Sequence, residues 1–480
     1  MRPIAENIRA LTLVIAIAFL MTSLGVGYWT LVAAEELSLD PFNPRLIAAS
    51  ADRPRGRIAD TRGGELAVSR QTPGGWRRGY SDRSLAQVTG YASFKYGAAG
   101  VEGAYGQSLV GQDPADPLGR MRARYLNERA EPGAVVLGIE PQVQQAAVAA
   151  LAGRRGAIVV LDPRTGAIRA SISLPNYDPS LISDPAQQDV AWRQVNQNTE
   201  RPLLNRVAQG LYPPGSTFKV VTAAAALESG LDPKEKIRVD DPFQGDPSWG
   251  TYRVRSSSQA HGDFDLSLAM QRSENIYFAK VGLRIGGARL AEYAAKFGIG
   301  TAPKLDLPAG RGQVSTSGSL DRPTLIADTS YGQGELLVTP LQMALVAAAI
   351  ANGGVMPTPH YALSVRDAAG AVIRTIEPGP VGQVIRPETA RAVTQVMVDA
   401  VQAPGAFAAA ARIQGVNVAG KTGTAENASG APHGWFIGFA PAEAPTAVVA
   451  ILLENSPKGG EDAAPLGAAV LRAALGTRTP

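Results

Sequence analysis

The run from Leu11 to Val32, LTLVIAIAFLMTSLGVGYWTLV, carries no charge. At a rise of about 1.5 Å per residue, a helix of that length crosses a hydrocarbon core of roughly 30 Å. A stretch so apolar is costly on a water-exposed surface, so it sets the plan of the chain: a short tail, one membrane crossing, and the remainder on one side of the bilayer. Arg2 and Arg9 precede the run, Glu35, Glu36 and Asp40 follow it, and Tyr28 and Trp29 stand near its far end. The positive-inside bias and the interfacial aromatics predict a cytoplasmic tail over residues 1–10, a transmembrane helix over 11–32 and an extracytoplasmic remainder. A cleaved signal peptide is the rival reading; the apolar run is long for one, and the small residues Ala33 and Ala34 come only after the full span. No second stretch is as apolar, so a single-pass membrane protein is expected.

The rest of the 480 residues suffices for two or three domains. The absence of cysteine excludes disulfides, thiolate metal sites and a lipid-modified cysteine anchor. Only three histidines occur, His261, His360 and His433, with no pair at helical spacing. That scarcity argues against a metal centre and against a Ser-His-Asp hydrolase, and no cofactor is expected. The net charge is +4, with basic residues scattered rather than clustered, which is no nucleic-acid footprint.

Residues 41–55, rich in Pro, Arg and Asp, read as a tether. RGRIADTRGGELAVSR, with its Gly63-Gly64 turn, reads as a hairpin, and the segment 33–135 as a tether followed by a small strand-rich pedestal. Near Pro132-Gly133 the pattern changes, and a second domain is expected over 136–480. VVLGI is a strand and PQVQQAAVAAL a helix opened by proline; AIVVLD and AIRASIS form a hairpin about PRTG. A helix-rich middle follows, including a capping box at Thr339 and Gln342. VNVAGKTGTA, WFIGFAP and TAVVAILLE are then strands, and AAPLGAAVLRAAL is a terminal helix. Strands early and late with helices between imply one sheet closed by both ends of the domain.

YPPGSTFKVVTAAAALESG carries the first candidate chemistry. Pro213, Pro214 and Gly215 forbid helix, and Thr217 to Leu227 favours it, so Ser216 is expected at a helix opening. Lys219 lies one turn on, on a helix whose other residues are nearly all apolar. A hydroxyl with an amine one turn away is the layout of an activated serine nucleophile; a capping serine beside a solvated lysine is the plainer alternative. RSENIYFAKVG adds Ser273 and Asn275, two polar side chains at i and i+2 ahead of an apolar helix, which a helix cap would also explain. AGKTGTAE places Lys421, Thr422, Gly423 and Thr424 on an otherwise apolar strand. A glycine inside a strand marks either a bulge or close approach to the backbone, here by an extended ligand.

In the order S-x-x-K, S-x-N, K-T-G, these motifs resemble the penicillin-binding proteins and serine β-lactamases. RGRIAD, GAAGVEGAYGQSLVG, LDPRTGAIRASISLPNYDPS, YGQGELLVTPLQMA and WFIGFAP extend the resemblance to a monofunctional, class B penicillin-binding protein of the small A type, over roughly residues 55–455. Glu274 departs from the Asp familiar in relatives, and Thr61 from the usual Arg.

The resemblance implies an α/β (α+β) penicillin-binding transpeptidase fold: an antiparallel five-stranded sheet with flanking helices, an all-α subdomain, a small β-rich dimerisation-like pedestal and one N-terminal membrane helix. It implies a D,D-transpeptidase that cross-links peptidoglycan stem peptides ending in D-Ala-D-Ala and is acylated by β-lactams. In that scheme Ser216 is the nucleophile and Lys219 the base, its pKa brought from about 10.4 toward 7 by burial and by Lys421. Ser273 relays a proton, Asn275 binds the donor amide, and Lys421, Thr422, Gly423 and Thr424 hold the terminal carboxylate. The resemblance also implies a SEDS-type membrane glycan polymerase as partner. A D,D-carboxypeptidase, with water as acceptor, and a non-catalytic β-lactam-binding scaffold share the motifs and stay open. A β-lactamase lacks support because no Glu-x-x-x-Asn element lies between Ser273 and Lys421.

Overall fold

A computed structural model describes residues 4–33, 54–73, 75–111, 113, 131–256, 260–427 and 430–476. The expected tether lies outside these residues except for its last two. Helix α1 (Ile4–Gly27) runs on into a π-helical turn at Tyr28–Val32. The apolar stretch Glu6–Thr30 has a mean hydropathy of 2.2, and its large apolar side chains are exposed, as an element that crosses a bilayer requires.

Two sheets organise the rest. The pedestal sheet contains β1 (Ile58–Ala59), β2 (Glu65–Thr72), β3 (Gly75–Tyr80) and β4 (Ala134–Leu137). The chain then forms α2 (Pro141–Leu151), opened by proline as expected, and the hairpin β5 (Gly156–Leu161) and β6 (Ile168–Leu174). The helical middle supplies α3 (Lys219–Glu228), α4 (Asn275–Ile285), α5 (Pro323–Ser330) and α6 (Pro340–Ala351). Two further strands, β7 (Ala362–Arg366) and β8 (Val372–Thr375), return to the pedestal sheet, whose order is β8-β7-β4-β1-β2-β3. The sequence reading gave that segment no place in the pedestal. Nothing in its composition distinguishes a strand of one sheet from a strand of the other.

After α7 (Pro387–Gln402), the strands β9 (Ala419–Ala425), β10 (His433–Ala440) and β11 (Ala447–Leu453) and helix α8 (Gly460–Gly476) complete the second sheet, of order β9-β10-β11-β5-β6 and antiparallel throughout. Both of its faces are covered, which is why its strands read as continuous apolar runs. Ile158, Val160, Val449 and Ile451 pack on one side with α2 and α8; Ala157, Val159, Val448 and Ala450 join the larger core with α3 and α6 on the other. The capping box is formed: Thr339 Oγ1 accepts from Gln342 N, and Gln342 Oε1 accepts from Thr339 N. Helix α3 and strand β9, the first strand of its sheet, bring the candidate residues together.

Candidate active site

The serine turn is held from three sides. Tyr212 pairs with Val338, Pro213 O accepts from the buried indole of Trp435 at 2.9 Å, and Gly215 N donates to Gly332 O at 2.9 Å. Gly215 sits at φ +54°, and a Cβ there would lie 2.6 Å from Thr424 O, so glycine alone fits between the turn and β9. The chain then makes a 3-10 turn over Gly215–Phe218 before α3 begins at Lys219, two residues later than the expected start at Thr217. In a 3-10 turn residues i and i+3 eclipse, so the tight turn brings Lys219 Nζ to 2.9 Å from Ser216 Oγ.

Lys219 is fully buried, whereas Ser216 is half-buried and opens onto a cleft. The amine nitrogen also lies 2.6 Å from Ser273 O, 3.2 Å from Ser273 Oγ and 2.7 Å from Asn275 Oδ1. Ser273 takes φ +52°, a conformation few side chains adopt, and thereby turns both its carbonyl and its hydroxyl toward Lys219. On the far side, Lys421 Nζ donates to Ser273 Oγ at 2.9 Å, so this hydroxyl bridges the two amines. Burial pushes the Lys219 amine well below the ordinary lysine value; Lys421 lowers it further and Glu274 opposes. Burial alone pushes Lys421 down to about 7. Lys219 is thus lowered by burial first and by its lysine neighbour second, Lys421 by burial alone.

Glu274 is fully buried at the start of α4. Its Oε1 accepts from Ile276 N at 3.0 Å, and its Oε2 from Ser256 Oγ at 2.6 Å. The departure from Asp therefore falls on a capping position, where the longer side chain still reaches its helix and also fastens the loop that roofs the cleft. Thr61, the other departure, donates its hydroxyl to Ile139 O at 3.0 Å in the pedestal.

Strand β9 has a free outer edge toward the cleft. The sequence suggested a ligand as the reason for Gly423; packing alone requires the glycine, since a Cβ there would lie 2.9 Å from Pro214 O and 3.0 Å from Thr217 Cγ2. The serine turn itself is what approaches. Thr422 and Thr424 lie on the other face of the strand beside Gly459 and Gly460, where both still border the cleft, and the Thr424 hydroxyl accepts from Gly460 N at 3.2 Å. The cleft, of about 600 Å³, is lined by Ser216, Ser273, Asn275, Thr422 and Thr424 and also by Tyr252, Arg255, Asp328, Tyr331 and Phe407. Sequence reasoning missed this second set. The residues belong to no common spacing, and only Tyr331 lies within a quoted motif, YGQG.

Residues 156–472 match the penicillin binding protein transpeptidase domain, and residues 55–136 the penicillin binding protein A dimerisation domain. The peptidoglycan D,D-transpeptidase PbpA of Mycolicibacterium smegmatis is 38% identical over 468 residues, covering 92% of this chain and 93% of the relative. The enzyme of the same name from Mycobacterium tuberculosis is 35% identical over 495 residues, covering 98% and 99%. Among solved structures, the ceftriaxone acyl-enzyme complex of penicillin-binding protein A from M. tuberculosis superposes with a TM-score of 0.81 at 33% identity, covering 91% of this chain and all of that one. The penicillin G acyl-enzyme complex gives a TM-score of 0.80 at 35% identity, covering 88% and 100%.

Proposed function

The chain belongs to the penicillin-binding protein transpeptidase family, and from that premise we propose that it is a class B peptidoglycan D,D-transpeptidase that cross-links stem peptides through a serine acyl-enzyme and is acylated by β-lactams. The observation that carries the reading is the buried Lys219 amine, held against Ser216 Oγ and pushed toward its neutral, basic form.

In this reading Lys219 takes the Ser216 proton as Oγ attacks the carbonyl between the two terminal D-alanines. The backbone N–H groups of Ser216 and Thr424, which the close packing of Gly215 on Thr424 O brings side by side, hold the oxyanion, a feature worth about 10²–10³ in rate per donor. Ser273, bridging the two lysines, passes the proton to the leaving amine as the C–N bond breaks. The acceptor amine then attacks the ester carbonyl, gives its proton to Lys219 and returns Ser216 to its hydroxyl form. Lys421 and the Thr422 and Thr424 hydroxyls bind the donor carboxylate. Asn275 has one end on Lys219 and donates Nδ2 to Arg255 O at 3.1 Å, which leaves a second amide hydrogen for the donor peptide. A β-lactam acylates the same serine, but its leaving nitrogen stays tethered and blocks the acceptor.

The apolar N-terminal helix anchors the protein in the cell membrane, with its basic end in the cytoplasm and the cleft outside. A SEDS-type glycan polymerase would dock on the same helix; a pull-down through residues 4–33 that recovers none overturns that part.

Intact-mass spectrometry of residues 35–480 after incubation with a penicillin tests the core reading. The expected result is a stable adduct of one ligand mass on Ser216, absent in both Ser216→Ala and Lys219→Arg, since arginine stays protonated. Normal acylation of Lys219→Arg refutes Lys219 as the base. Consumption of penicillin without an adduct points to a β-lactamase.

A further inference from the structure

The cleft wall formed by Tyr252, Asp328 and Tyr331 has no role in the acylation chemistry, yet it is built around a charge. Tyr252 and Tyr331 both donate their hydroxyls to Asp328 Oδ1, and the two hydroxyls lie 3.3 Å apart. All three residues line the same cleft as Ser216, and all are half-buried. Among the described residues, the side-chain partners of this carboxylate are both neutral phenols. The wall is rigidly joined to the serine turn: Thr222 of α3 donates to Ser330 O at 2.8 Å, and Gly215 N donates to Gly332 O at 2.9 Å. A carboxylate so placed is oriented by its donors but not neutralised by them.

Which ligand does such a wall suit? The donor brings a carboxylate, which Asp328 repels and Lys421 attracts. The acceptor brings an amine that is an ammonium in solution. We propose that Asp328, oriented by Tyr252 and Tyr331, is the subsite that draws the acceptor strand's cationic amine into the cleft and holds that strand while Lys219 removes the proton. The subsite rests on the transpeptidase reading and extends it. It acts after acylation, so the two steps separate cleanly. A carboxylate stabilises the ammonium and so opposes its deprotonation. Asp328 therefore binds the incoming cation at the wall; the nitrogen gives one proton to water as it leaves the wall, and its second passes through Lys219 to Ser216 Oγ as the amide forms.

The test uses Asp328→Asn, which is close in shape and can still accept both phenol hydrogens. Transfer from a thioester donor is measured to two acceptors, a stem tripeptide with a free side-chain amine and hydroxylamine, which is uncharged at neutral pH. Penicillin acylation is measured on the same sample. The expected result is an increase of about tenfold in KM for the peptide acceptor, the size of one partly exposed charge contact. Hydroxylamine transfer and acylation should stay within about twofold. Unchanged peptide transfer overturns the subsite. So does an equal loss toward both acceptors, which marks a merely structural role. Loss of acylation in the unaltered protein overturns the transpeptidase reading, and the subsite with it. If Asp328→Asn does not fold, the unaltered protein still decides: KM for the cationic acceptor should rise with salt and that for hydroxylamine should not, and equal salt dependence overturns the proposal.

Discussion

On the proposed reading, Lys421 must be a cation for the donor carboxylate in a place that disfavours cations. Burial sets its folded pKa near 7, against an ordinary value of 10.5. Between those two values the unfolded chain binds a proton that the folded chain does not. Stability therefore rises with pH across that window and is lost as pH falls toward 7. The shift corresponds to at most about 5 kcal/mol over the whole window. Thermal melting from pH 7 to 9.5 should show the rise, and Lys421→Met should reduce it, leaving the part that comes from Lys219, which burial still depresses. An equal slope in both proteins would mean that Lys421 is charged in the empty cleft. A bound carboxylate reverses the preference, so a penicillin or a stem peptide restores the charge that binds it. The pairing of Ser216 with Lys219 was legible in the sequence from spacing alone. The bridging position of Ser273 was not, because it depends on a left-handed backbone at a serine and on a lysine 148 residues away.

At the scale of elements, the site is a contact between a turn and a strand edge. Gly215 and Gly423 face each other's segments, and each lacks the Cβ that would hold them apart. Gly423→Ala would set a methyl 2.9 Å from Pro214 O, 3.0 Å from Thr217 Cγ2 and 3.1 Å from Trp435 Cβ. Backbone must move, at about 1–3 kcal/mol. Because the part that moves carries Ser216, acylation by penicillin should fall by about 10²-fold, the cost of misplacing a reacting group by an ångström. Gly379→Ala, where no neighbour lies within 4 Å, should change neither melting temperature nor acylation. A Gly423→Ala protein that acylates at the normal rate would show that the turn and the strand are not rigidly coupled. The sequence showed that Gly423 wanted something close; which surface came close was decided by the packing of the serine turn against β9.

On the scale of the whole molecule, the domain boundary expected near residue 136 cuts through β4 and ignores β7 and β8. The pedestal sheet takes its strands from both halves of the chain, with β4 hydrogen-bonded to β1 on one side and to β7 on the other. A protein beginning at residue 138 keeps every residue of the cleft but leaves the long side of β7 unpaired, with Val365 and Ala362, both fully buried in the intact chain, at its edge. An unpaired apolar edge recruits other chains. Residues 138–480 should therefore melt at a lower temperature than residues 54–480 and elute as aggregate in size-exclusion chromatography. A monomer of equal melting temperature would show that the pedestal adds nothing to the domain's stability.

What the sequence determined by itself is what local chemistry dictates. The apolar run favours a membrane-spanning helix, proline and glycine set the serine turn, Pro163 and Gly166 mark the turn of the hairpin Gly156–Leu174, and Thr339 with Gln342 starts α6. Short motifs in a fixed order were enough to single out Ser216, Lys219 and strand β9, which the fold brings to one cleft. Tertiary structure alone decided which sheet received β7 and β8, that Glu274 caps α4 while fastening the cleft roof, and that Tyr252, Asp328 and Tyr331 meet on one wall. These depend on contacts between segments far apart in the chain, and such contacts leave no period or spacing in the sequence from which they could be read.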